Sequence, residues 1–475
     1  MPSPPAPAPP PGPLPGPPAP APGPGSAPPP PGPPAPPPST SGSSASASPV
    51  PGRGPETSIF CGPLDLAGEG VDAVLRNVRE RAGVERIAPA VAYHAARDLL
   101  PHNPLRRVAT GGAGVCFAPE WDRYPAALRP VRSAFAMGRD LLGELCGRAG
   151  AYGAAVDAWI VYLHDDREDS ARPGAVRNLF GDVYPHVLCA SDPDVRAYAV
   201  ALTEDVCRYP VGTVLAEAPH WLPFDHGYGH ERRSVPLDPT AALLLGLCFC
   251  AHCRDAASGR GADVPGLTAA AKAHVEACLT GGPPPAATAD AVRRAGLRRY
   301  LDARRERVTT LVARLATTAA AAGAGFRLLD LSAGMLGWAD GRPTGPPGVA
   351  TTGELGVDPA AVAATCPITL TPYARDPARV RDEIAAYRAE AGPAARLGIA
   401  LRPMSPDCDS AENLAHKLGV ARELHVDRVD FYHYGLSPLS ALDRVREARA
   451  IASCRKQHAE EEPGCSKADE SSWQG

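Results

Sequence analysis

The chain has 475 residues, of which 57 are proline, and it carries 48 basic and 52 acidic side chains for a net charge of -4. The two signs are interspersed, so no basic surface for nucleic acid is predicted. No run approaches the ~18 consecutive apolar residues that span a membrane, and no basic segment followed by an apolar one succeeds Met1. The composition therefore predicts a cytoplasmic chain without nucleic-acid or membrane partners, and it leaves a homo-oligomer open.

Both ends of the chain are predicted to be disordered. Residues 1–55 consist mainly of Pro, Ala, Gly and Ser, which bury too little apolar surface to offset the entropy of folding. We interpret this tail as a plain spacer, with a docking arm for a proline-binding groove as the alternative. Residues 453–475 are polar and charged and form the second predicted tail. The segment between the tails, residues 56–452, is predicted to be one folded domain.

Within this domain, eight short apolar runs that end in polar residues alternate with helical patterns, as parallel strands joined by crossover helices do. Eight strand and helix units in this length predict an α/β fold, a (β/α)8 TIM barrel with enlarged βα loops. The clearest helical patterns cover residues 71–81, 131–148, 266–279 and 289–322. The predicted strands are residues 58–65, 86–94, 155–164, 212–217, 326–330, 368–373, 398–402 and 428–434.

Polar side chains lie at the carboxyl ends of the predicted strands, whereas the first residues of the strands show no such pattern. Because the carboxyl ends of parallel barrel strands meet at one mouth, these side chains are predicted to converge there. No Gly-rich phosphate loop follows the first strand, which disfavours a nucleotide-binding open sheet. The predicted mouth residues are Asp65, His94, His164, Asp165, Asp166, Glu217, Asp330, Tyr373, Arg402, Tyr432, His433 and Tyr434.

The most specific local motif is a C-x-C-x-x-C spacing formed by Cys248, Cys250 and Cys253. A tight turn of this kind aims three thiolates at one ion, and tetrahedral zinc requires a fourth ligand. We favour Cys189 as that ligand, with His252 as the substitute. The alternative is that these residues are small buried thiols, as free cysteines often are. The total of 13 cysteines is odd and scattered, which argues against a disulfide framework.

The order of motifs in residues 180–256 resembles that of the family 42 β-galactosidases and, more broadly, of hypothetical glycosidase-like barrels. In that family a cysteine and a Pro-containing turn with an Arg precede the fourth strand, the strand ends in the acid/base Glu, and a C-x-C-x-x-C loop follows. The resemblance implies a glycoside hydrolase in which four cysteines bind a structural zinc ion. The matching residues are Cys189, Asp192, Pro193, Arg196, Glu217, Cys248, Cys250 and Cys253.

The sequence departs from this family at two positions that matter for chemistry. Ala216 stands where the family has an Asn immediately before the catalytic Glu. The seventh predicted strand ends at Arg402, and no Glu follows within reach to serve as the nucleophile. The two-Glu arrangement of the family is therefore not predicted here, and the chain is interpreted as a distant relative.

Glycoside cleavage uses one carboxyl to protonate the leaving oxygen and a second as the nucleophile or as the base for water. Glu217 is the predicted acid, because its neighbours include Trp221 and several prolines that form a partly apolar wall, and such a wall raises a carboxyl pKa. For the second carboxyl we rank Asp330 first, because it leaves a strand end directly. Asp407 and the Asp165 and Asp166 pair follow.

The other mouth residues are of types that bind polyhydroxylated ligands, although each has a purely structural alternative. A loop that contains His226, His230 and Glu231 is predicted to be a mobile active-site loop, with a second metal site as the alternative. The predicted substrate-binding residues are His164, Asp165, His220, Trp221, Tyr373, Arg402, Tyr432, His433 and Tyr434.

Three functions are therefore weighed for this barrel. The first is a glycoside hydrolase that acts on a small-molecule or oligosaccharide substrate, with Glu217 as its acid. The second is a metal-assisted lyase, isomerase or hydrolase that uses His164, Asp165, Glu217 and His220 around a divalent ion. The third is a carbohydrate-binding barrel without catalysis. The fold alone does not separate them, since this barrel hosts many chemistries.

Overall fold

The computed structural model describes residues 54–166, 172–226 and 232–461, with side chains described as far as residue 454. Eight parallel strands form a closed ring, in which each strand pairs with the next and β8 pairs with β1. This ring confirms the predicted (β/α)8 barrel. The barrel strands are β1 Glu56–Cys61, β2 Arg86–Tyr93, β3 Ala158–Val161, β4 Thr213–Glu217, β5 Gly325–Asp330, β6 Ile368–Leu370, β7 Leu397–Leu401 and β8 Arg428–Phe431.

The strand register determines which side chains enter the barrel. Leu215 on β4 is aligned with Trp159 on β3, and Glu217 is aligned with Leu329 on β5. Since alternate residues of a strand face opposite sides, residues aligned in this way share the interior face. The upper interior is a small apolar cluster that contains Phe60, Ala90, Trp159, Leu215, Leu329, Tyr373 and Ala400. Glu217 therefore points inward, whereas Asp330 points outward.

The helices surround the ring and supply the apolar layer between helices and strands. They are α1 Pro63–Glu69, α2 Val71–Arg76, α3 Leu141–Ala149, α4 Pro193–Val206, α5 Pro239–Gly246, α6 Ala251–Gly259, α7 Val264–Leu279, α8 Ala286–Arg294, α9 Leu297–Ala321, α10 Ser332–Gly337, α11 Thr352–Leu355, α12 Pro359–Ala363, α13 Pro377–Ala391, α14 Ala411–Glu423 and α15 Leu439–Glu461.

Several helix bounds differ from those predicted. The helix expected over residues 131–148 begins only at Leu141, because Met137 and Gly138 have positive φ and the Asp140 side chain caps the helix by accepting the Gly143 N–H. The helix expected over residues 289–322 is broken at Gly296, whose φ of 103° is left-handed.

The last helix extends beyond the predicted end of the domain, since α15 continues through Glu461. The Arg, Lys, Gln and Glu residues that indicated a polar tail are also good helix formers, and composition alone did not distinguish the two outcomes. The predicted amino-terminal tail, apart from its last two residues, and residues 462–475 lie outside the described residues. Among the helices that the structure describes, none alone has the length and apolarity to cross a membrane; α5 and α6, bent by 112°, meet that test only as a pair.

Two β-hairpins extend the loops at the carboxyl ends of the strands. One is formed by Ala96–Leu99 and Val108–Gly111 after β2, and the other by Ala175–Arg177 and Val183–Leu188 after β3. The second hairpin is joined to the loop after β3 by a bridge between His164 and Val187. These hairpins bring additional side chains to the mouth of the barrel, among them Asp98 and His186.

The opposite end of the barrel interior is filled by buried charges rather than by apolar residues. Arg428 lies at the centre, with one guanidinium nitrogen 2.7 Å from Asp157 and 2.8 Å from Asp430. Arg86 also pairs with Asp157, and Glu56 contacts both arginines at 3.1 and 3.2 Å. Charged groups at the amino-terminal face of such barrels serve stability, so we treat this network as structural.

Candidate functional site

Glu217 stands at the inner face of the mouth, at the last residue of β4. Its side chain is buried, and the Trp159 indole N–H donates a hydrogen bond of 2.7 Å to Oε2. Burial raises the pKa of Glu217 to about 7, although the Trp159 bond and the charge of His164 act in the opposite direction. A carboxyl with this pKa holds its proton for a substantial fraction of the time near neutral pH, as a general acid requires.

Aromatic rings surround this carboxyl. Trp159 packs edge-on against Tyr93 and Phe60, and Tyr432 lies about 6 Å from Trp159 and from Tyr373 between ring centroids. Burial raises the pKa of Tyr93, Tyr373 and Tyr432, and the charge of Glu217 raises each further. The three phenols are therefore close to Glu217. The predicted substrate-binding residues Tyr373 and Tyr432 thus lie near Glu217, and their contact with a substrate stays a prediction.

Trp338 completes the aromatic wall and was not predicted. It follows α10, its ring lies 5.9 Å from those of Tyr373 and Tyr432, and it remains 52% exposed. An exposed tryptophan is a typical ligand contact, because it offers a flat apolar face that water covers poorly. The sequence signal that could have identified Trp338 is its position after β5, since the loops at that end of a barrel strand carry functional residues.

Two further carboxyls that were not ranked as catalytic lie in a narrow cavity beside this wall. Asp65 and Asp98 line the cavity together with Trp159, Tyr432 and His433. Burial raises the pKa of Asp65 to about 7, while the Gly62 N–H at 2.7 Å opposes this shift. Burial also raises the pKa of Asp98. Asp98 reaches the cavity because the hairpin after β2 folds over the mouth, a tertiary contact that local sequence patterns do not encode.

Asp330, the residue ranked first as the second carboxyl, does not face Glu217, and this expectation is corrected. Its Oδ2 accepts a 2.8 Å hydrogen bond from the Tyr387 hydroxyl on α13, and its Oδ1 accepts one from the Ser332 N–H. Since Leu329 occupies the inward position of β5, the next residue necessarily faces the helix layer. The sequence correctly indicated a polar residue at the end of β5, but it did not indicate the side of the sheet toward which this side chain points.

Asp407 and Arg402 reach the mouth as a mutually satisfied ion pair. Two guanidinium nitrogens of Arg402 contact the two Asp407 oxygens at 2.6 and 2.7 Å, and the same guanidinium donates to the carbonyls of Gly337 and Trp338. The guanidinium also lies over the rings of Trp338 and Tyr373. The Asp407 carboxylate is therefore paired with Arg402 and is not available for catalysis. The Arg402 guanidinium positions the aromatic wall.

Trp221 and Tyr434 are kept from the mouth by their packing. Trp221 is fully buried under the Arg304 guanidinium, 4.3 Å from its ring centroid. The Tyr434 hydroxyl bonds Glu69 and Asn77, which lie in the helix layer. Both were predicted to contact substrate, and both are structural in this arrangement. The predicted contact His433 does line the cavity.

A histidine cluster lies beside Glu217, where β2 and β3 end. The rings of His94 and His164 stack at 4.3 Å, and His186 and His226 lie 6.1 and 5.7 Å from His164. Burial lowers the pKa of His94 and of His226 to about 4, and the charge of His164 lowers each further. Asp165 bonds Arg172 at 2.6 Å, whereas His220 bonds the Trp221 carbonyl. His230 and Glu231 lie outside the described residues.

The four predicted zinc ligands come together on one side of the barrel. The sulfur atoms of Cys189, Cys248, Cys250 and Cys253 lie within 4.8 Å of one another, and all four residues are free thiols. Cys189 Sγ is 3.4 Å from Cys253 Sγ and 3.7 Å from Cys250 Sγ. Zn–S bonds of about 2.3 Å in a tetrahedron separate the sulfurs by roughly 3.8 Å, so the donors fit this ion. His252 is directed to Asp192 instead.

These observations define a closed (β/α)8 barrel with a buried carboxyl and an aromatic wall at its mouth. No protein-family model matches the chain, and no curated protein matches its sequence. Among solved structures it is similar to a β-galactosidase from the psychrophilic Marinomonas ef1, with 11% identity and a TM-score of 0.49. That match covers 86% of this chain but only 60% of the β-galactosidase.

Two further solved structures are similar at the same level. The catalytic domain of β-amylase from Paenibacillus polymyxa has 12% identity and a TM-score of 0.48, over 84% of this chain and 98% of that one. A β-galactosidase from Bacillus circulans has 11% identity and a TM-score of 0.44, over 80% of this chain and 50% of its own length. A likeness at such identity concerns the barrel fold alone.

Proposed function

We propose that this barrel cleaves a glycosidic bond in a carbohydrate-containing substrate, with Glu217 as the general acid. The observation that carries the proposal is the buried carboxyl of Glu217, which has a pKa near 7 and is fixed by Trp159 at an aromatic mouth. Such a carboxyl is able to protonate a leaving oxygen at neutral pH. The exposed face of Trp338 and the rings of Tyr373 and Tyr432 suit the apolar faces of a sugar.

The second carboxyl in this proposal is Asp98 rather than Asp330. The charges of Asp98 and Glu217 both raise the pKa of Tyr93 and of Tyr432, so both carboxyls lie near these two tyrosines. Asp98 is partly exposed and lines the mouth cavity, where it meets water. In this role Asp98 would act as the nucleophile or as the base that activates a water, and a carboxyl separation of about 5 Å would indicate retention and about 6.5–9.5 Å inversion.

The test is turnover of a broad panel of aryl glycosides by the full chain and by single variants. Glu217→Gln is expected to lower kcat by at least about 100-fold, because a general acid contributes roughly that factor or more. Asp98→Asn is expected to lower kcat as well. Asp330→Asn keeps the hydrogen-bonding shape of a group outside the mouth and is expected to leave kcat within about threefold of the parent.

Glu204→Gln on the exposed face of α4 is the matched control for the loss of a carboxyl. A panel in which no glycoside is cleaved by the parent chain would refute the proposal. Equal turnover by the parent and by Glu217→Gln would refute the role of Glu217 while leaving the substrate class intact.

We also propose that the four-cysteine cluster holds one structural zinc ion. The sulfur separations and the absence of disulfides among the described cysteines support this assignment. Cys248→Ser is expected to remove one equivalent of zinc that survives dialysis in the parent, as measured by mass spectrometry of the metal. Cys454→Ser, at an exposed position of α15, is the control and is expected to retain that zinc. Zinc below a tenth of an equivalent in the parent would contradict the assignment.

A further inference from the structure

A second group of metal-ligating side chains lies at the mouth and is not used by the proposed acid chemistry. It consists of His94, His164 and Asp166, and one ligand atom from each residue lies within 4.8 Å of the other two. His94 follows β2, whereas His164 and Asp166 follow β3, so the ends of two neighbouring strands supply the donors. The divalent-ion hypothesis from sequence named His164 but grouped it with Asp165, Glu217 and His220. The structure instead groups His164 with His94 and Asp166.

The atomic arrangement around Asp166 is that of ligands around a shared ion. His164 Nε2 is buried and lies 3.2 Å from Asp166 Oδ1, close enough for an ion pair if His164 is protonated but without the alignment of a regular hydrogen bond. Nitrogen and oxygen ligands at about 2.0–2.1 Å from one tetrahedral ion are separated by roughly 3.3 Å. The unsatisfied nitrogen and the carboxylate oxygen are therefore spaced as two ligands of one metal ion are.

The surrounding contacts orient the donors. The Ala95 N–H donates 2.8 Å to Asp166 Oδ2, which holds the carboxylate with Oδ1 toward His164. His94 Nδ1 lies 2.8 Å from the Ala95 carbonyl oxygen. His94 Nδ1 is also 3.9 Å from Asp166 Oδ2. Because a carbonyl only accepts, Nδ1 carries the proton while it contacts Ala95, so His94 would bind an ion through the lone pair of Nε2. Fixing a ligating imidazole through its other nitrogen and a ligating carboxylate through a backbone N–H is typical of metal sites.

Neighbouring imidazole rings pack closely around the two histidine donors. His94 and His164 stack nearly parallel, at an angle of 13°, and His186 and His226 pack against His164. The third candidate group, Asp238, His274 and Cys278, differs because both nitrogens of His274 already have hydrogen-bonding partners.

We propose that His94, His164 and Asp166 bind one divalent first-row transition ion at the mouth, next to Glu217. Two imidazoles and one carboxylate leave coordination positions for a substrate oxygen or water, as in metal sites that bind ligands rather than only hold the fold. The site stands whether or not the barrel cleaves glycosides, because it rests on donor geometry and not on Glu217.

The test is uptake of Co²⁺ by the full chain with the zinc of the cysteine cluster left in place. The parent chain is expected to retain one equivalent of Co²⁺ after gel filtration, with the weak visible absorption of nitrogen and oxygen ligands and without the intense absorption of thiolate ligation. His94→Gln and Asp166→Asn are expected to lose this equivalent. Asn at position 166 is still able to accept the Ala95 hydrogen bond, so the loss reports on the charged ligand.

His416→Gln, at an exposed position of α14, is the control for removing an imidazole and is expected to retain the Co²⁺. Unchanged far-ultraviolet circular dichroism in each variant distinguishes loss of the ligand from loss of the fold. If the parent retains no Co²⁺, if the ion shows thiolate absorption, or if correctly folded His94→Gln and Asp166→Asn bind it as the parent does, the proposal is wrong.

Discussion

At the scale of single residues, the behaviour of Glu217 follows from a competition between burial and one hydrogen bond. Burial disfavours the charged carboxylate, whereas the Trp159 N–H and the charge of His164 favour it. Burial prevails, so the folded chain binds a proton at Glu217 more tightly than the unfolded chain does. The same balance couples the proton of Glu217 to the stability of the fold.

We predict that stability falls with rising pH through Glu217. The folded pKa of about 7 exceeds the ordinary value of 4.5, so the stabilising contribution is present below about pH 4.5 and is lost as pH rises to about 7. Between pH 5 and 8 this amounts to about 2 kcal/mol of unfolding free energy. The contribution should disappear in Glu217→Gln.

The measurement is urea unfolding at pH 5 and pH 8 for the parent, Glu217→Gln and Glu204→Gln. Asp65 titrates in the same window, so only the difference between the parent and the Gln variant reports on Glu217. A pH dependence that is the same in all three proteins would show that Glu217 ionises as an exposed carboxyl does.

At the scale of elements, the mouth depends on how closely α10 approaches the loop after β6. A Cβ added at Gly337 would lie 1.7 Å from the Tyr373 carbonyl oxygen, so this helix end contacts backbone directly. The Arg402 guanidinium then joins the Gly337 and Trp338 carbonyls to Asp407. The exposed Trp338 is thus held by one close approach and one ion pair, although it lies outside regular structure.

A pair of glycine substitutions tests this contact. Gly337→Ala is expected to destabilise the fold by about 1–3 kcal/mol, because backbone atoms have to move to admit the methyl group. Gly419→Ala within α14 has no atom within 4 Å of the added carbon and is expected to stabilise by about 0.5–1 kcal/mol. Urea unfolding measures both changes. Equal effects of the two substitutions would mean that α10 is not closely packed.

The strands and their polar ends were predictable from sequence because a buried parallel strand leaves a local pattern. The predicted strand at residues 326–330 matches Gly325–Asp330 within one residue. The facing of its last residue was not predictable, since it depends on the register with β4, which no local pattern records. Asp98 and Trp338 were missed for a related reason: each lies in a loop or hairpin whose position is set by tertiary contacts.

The cysteine cluster likewise has one part that local sequence predicts and one part that depends on the tertiary fold. The C-x-C-x-x-C spacing predicts that Cys248, Cys250 and Cys253 are neighbours, because six residues cannot separate them. Cys189 lies about sixty residues earlier, and only the order of motifs indicated it. The structure brings its sulfur to the other three. The ion itself remains a prediction.

At the scale of the whole molecule, the two ends of the barrel interior differ in kind. The mouth end contains aromatic rings and the carboxyls of Glu217, Asp65 and Asp98, whose pKa values burial raises, whereas the far end contains Arg428, Arg86, Asp157, Asp430 and Glu56. These charges join β1, β2, β8 and the residue immediately before β3, and β1 and β8 are the first and last strands of the ring. The ring closes where β1 pairs with β8, and we call this junction the seam. It is stabilised by ion pairs as well as by the hydrogen bonds of β1 with β8.

Heat acts differently on these two ends. The cost of removing charged groups from water decreases as temperature rises, while the gain from burying apolar surface levels off. Warming should thus weaken the seam less than it weakens the aromatic layer. In a heated sample, amide hydrogens at the first residues of β1 and β8 should be among the last in the barrel to exchange with solvent, and the ligand-facing layer should loosen before the ring opens.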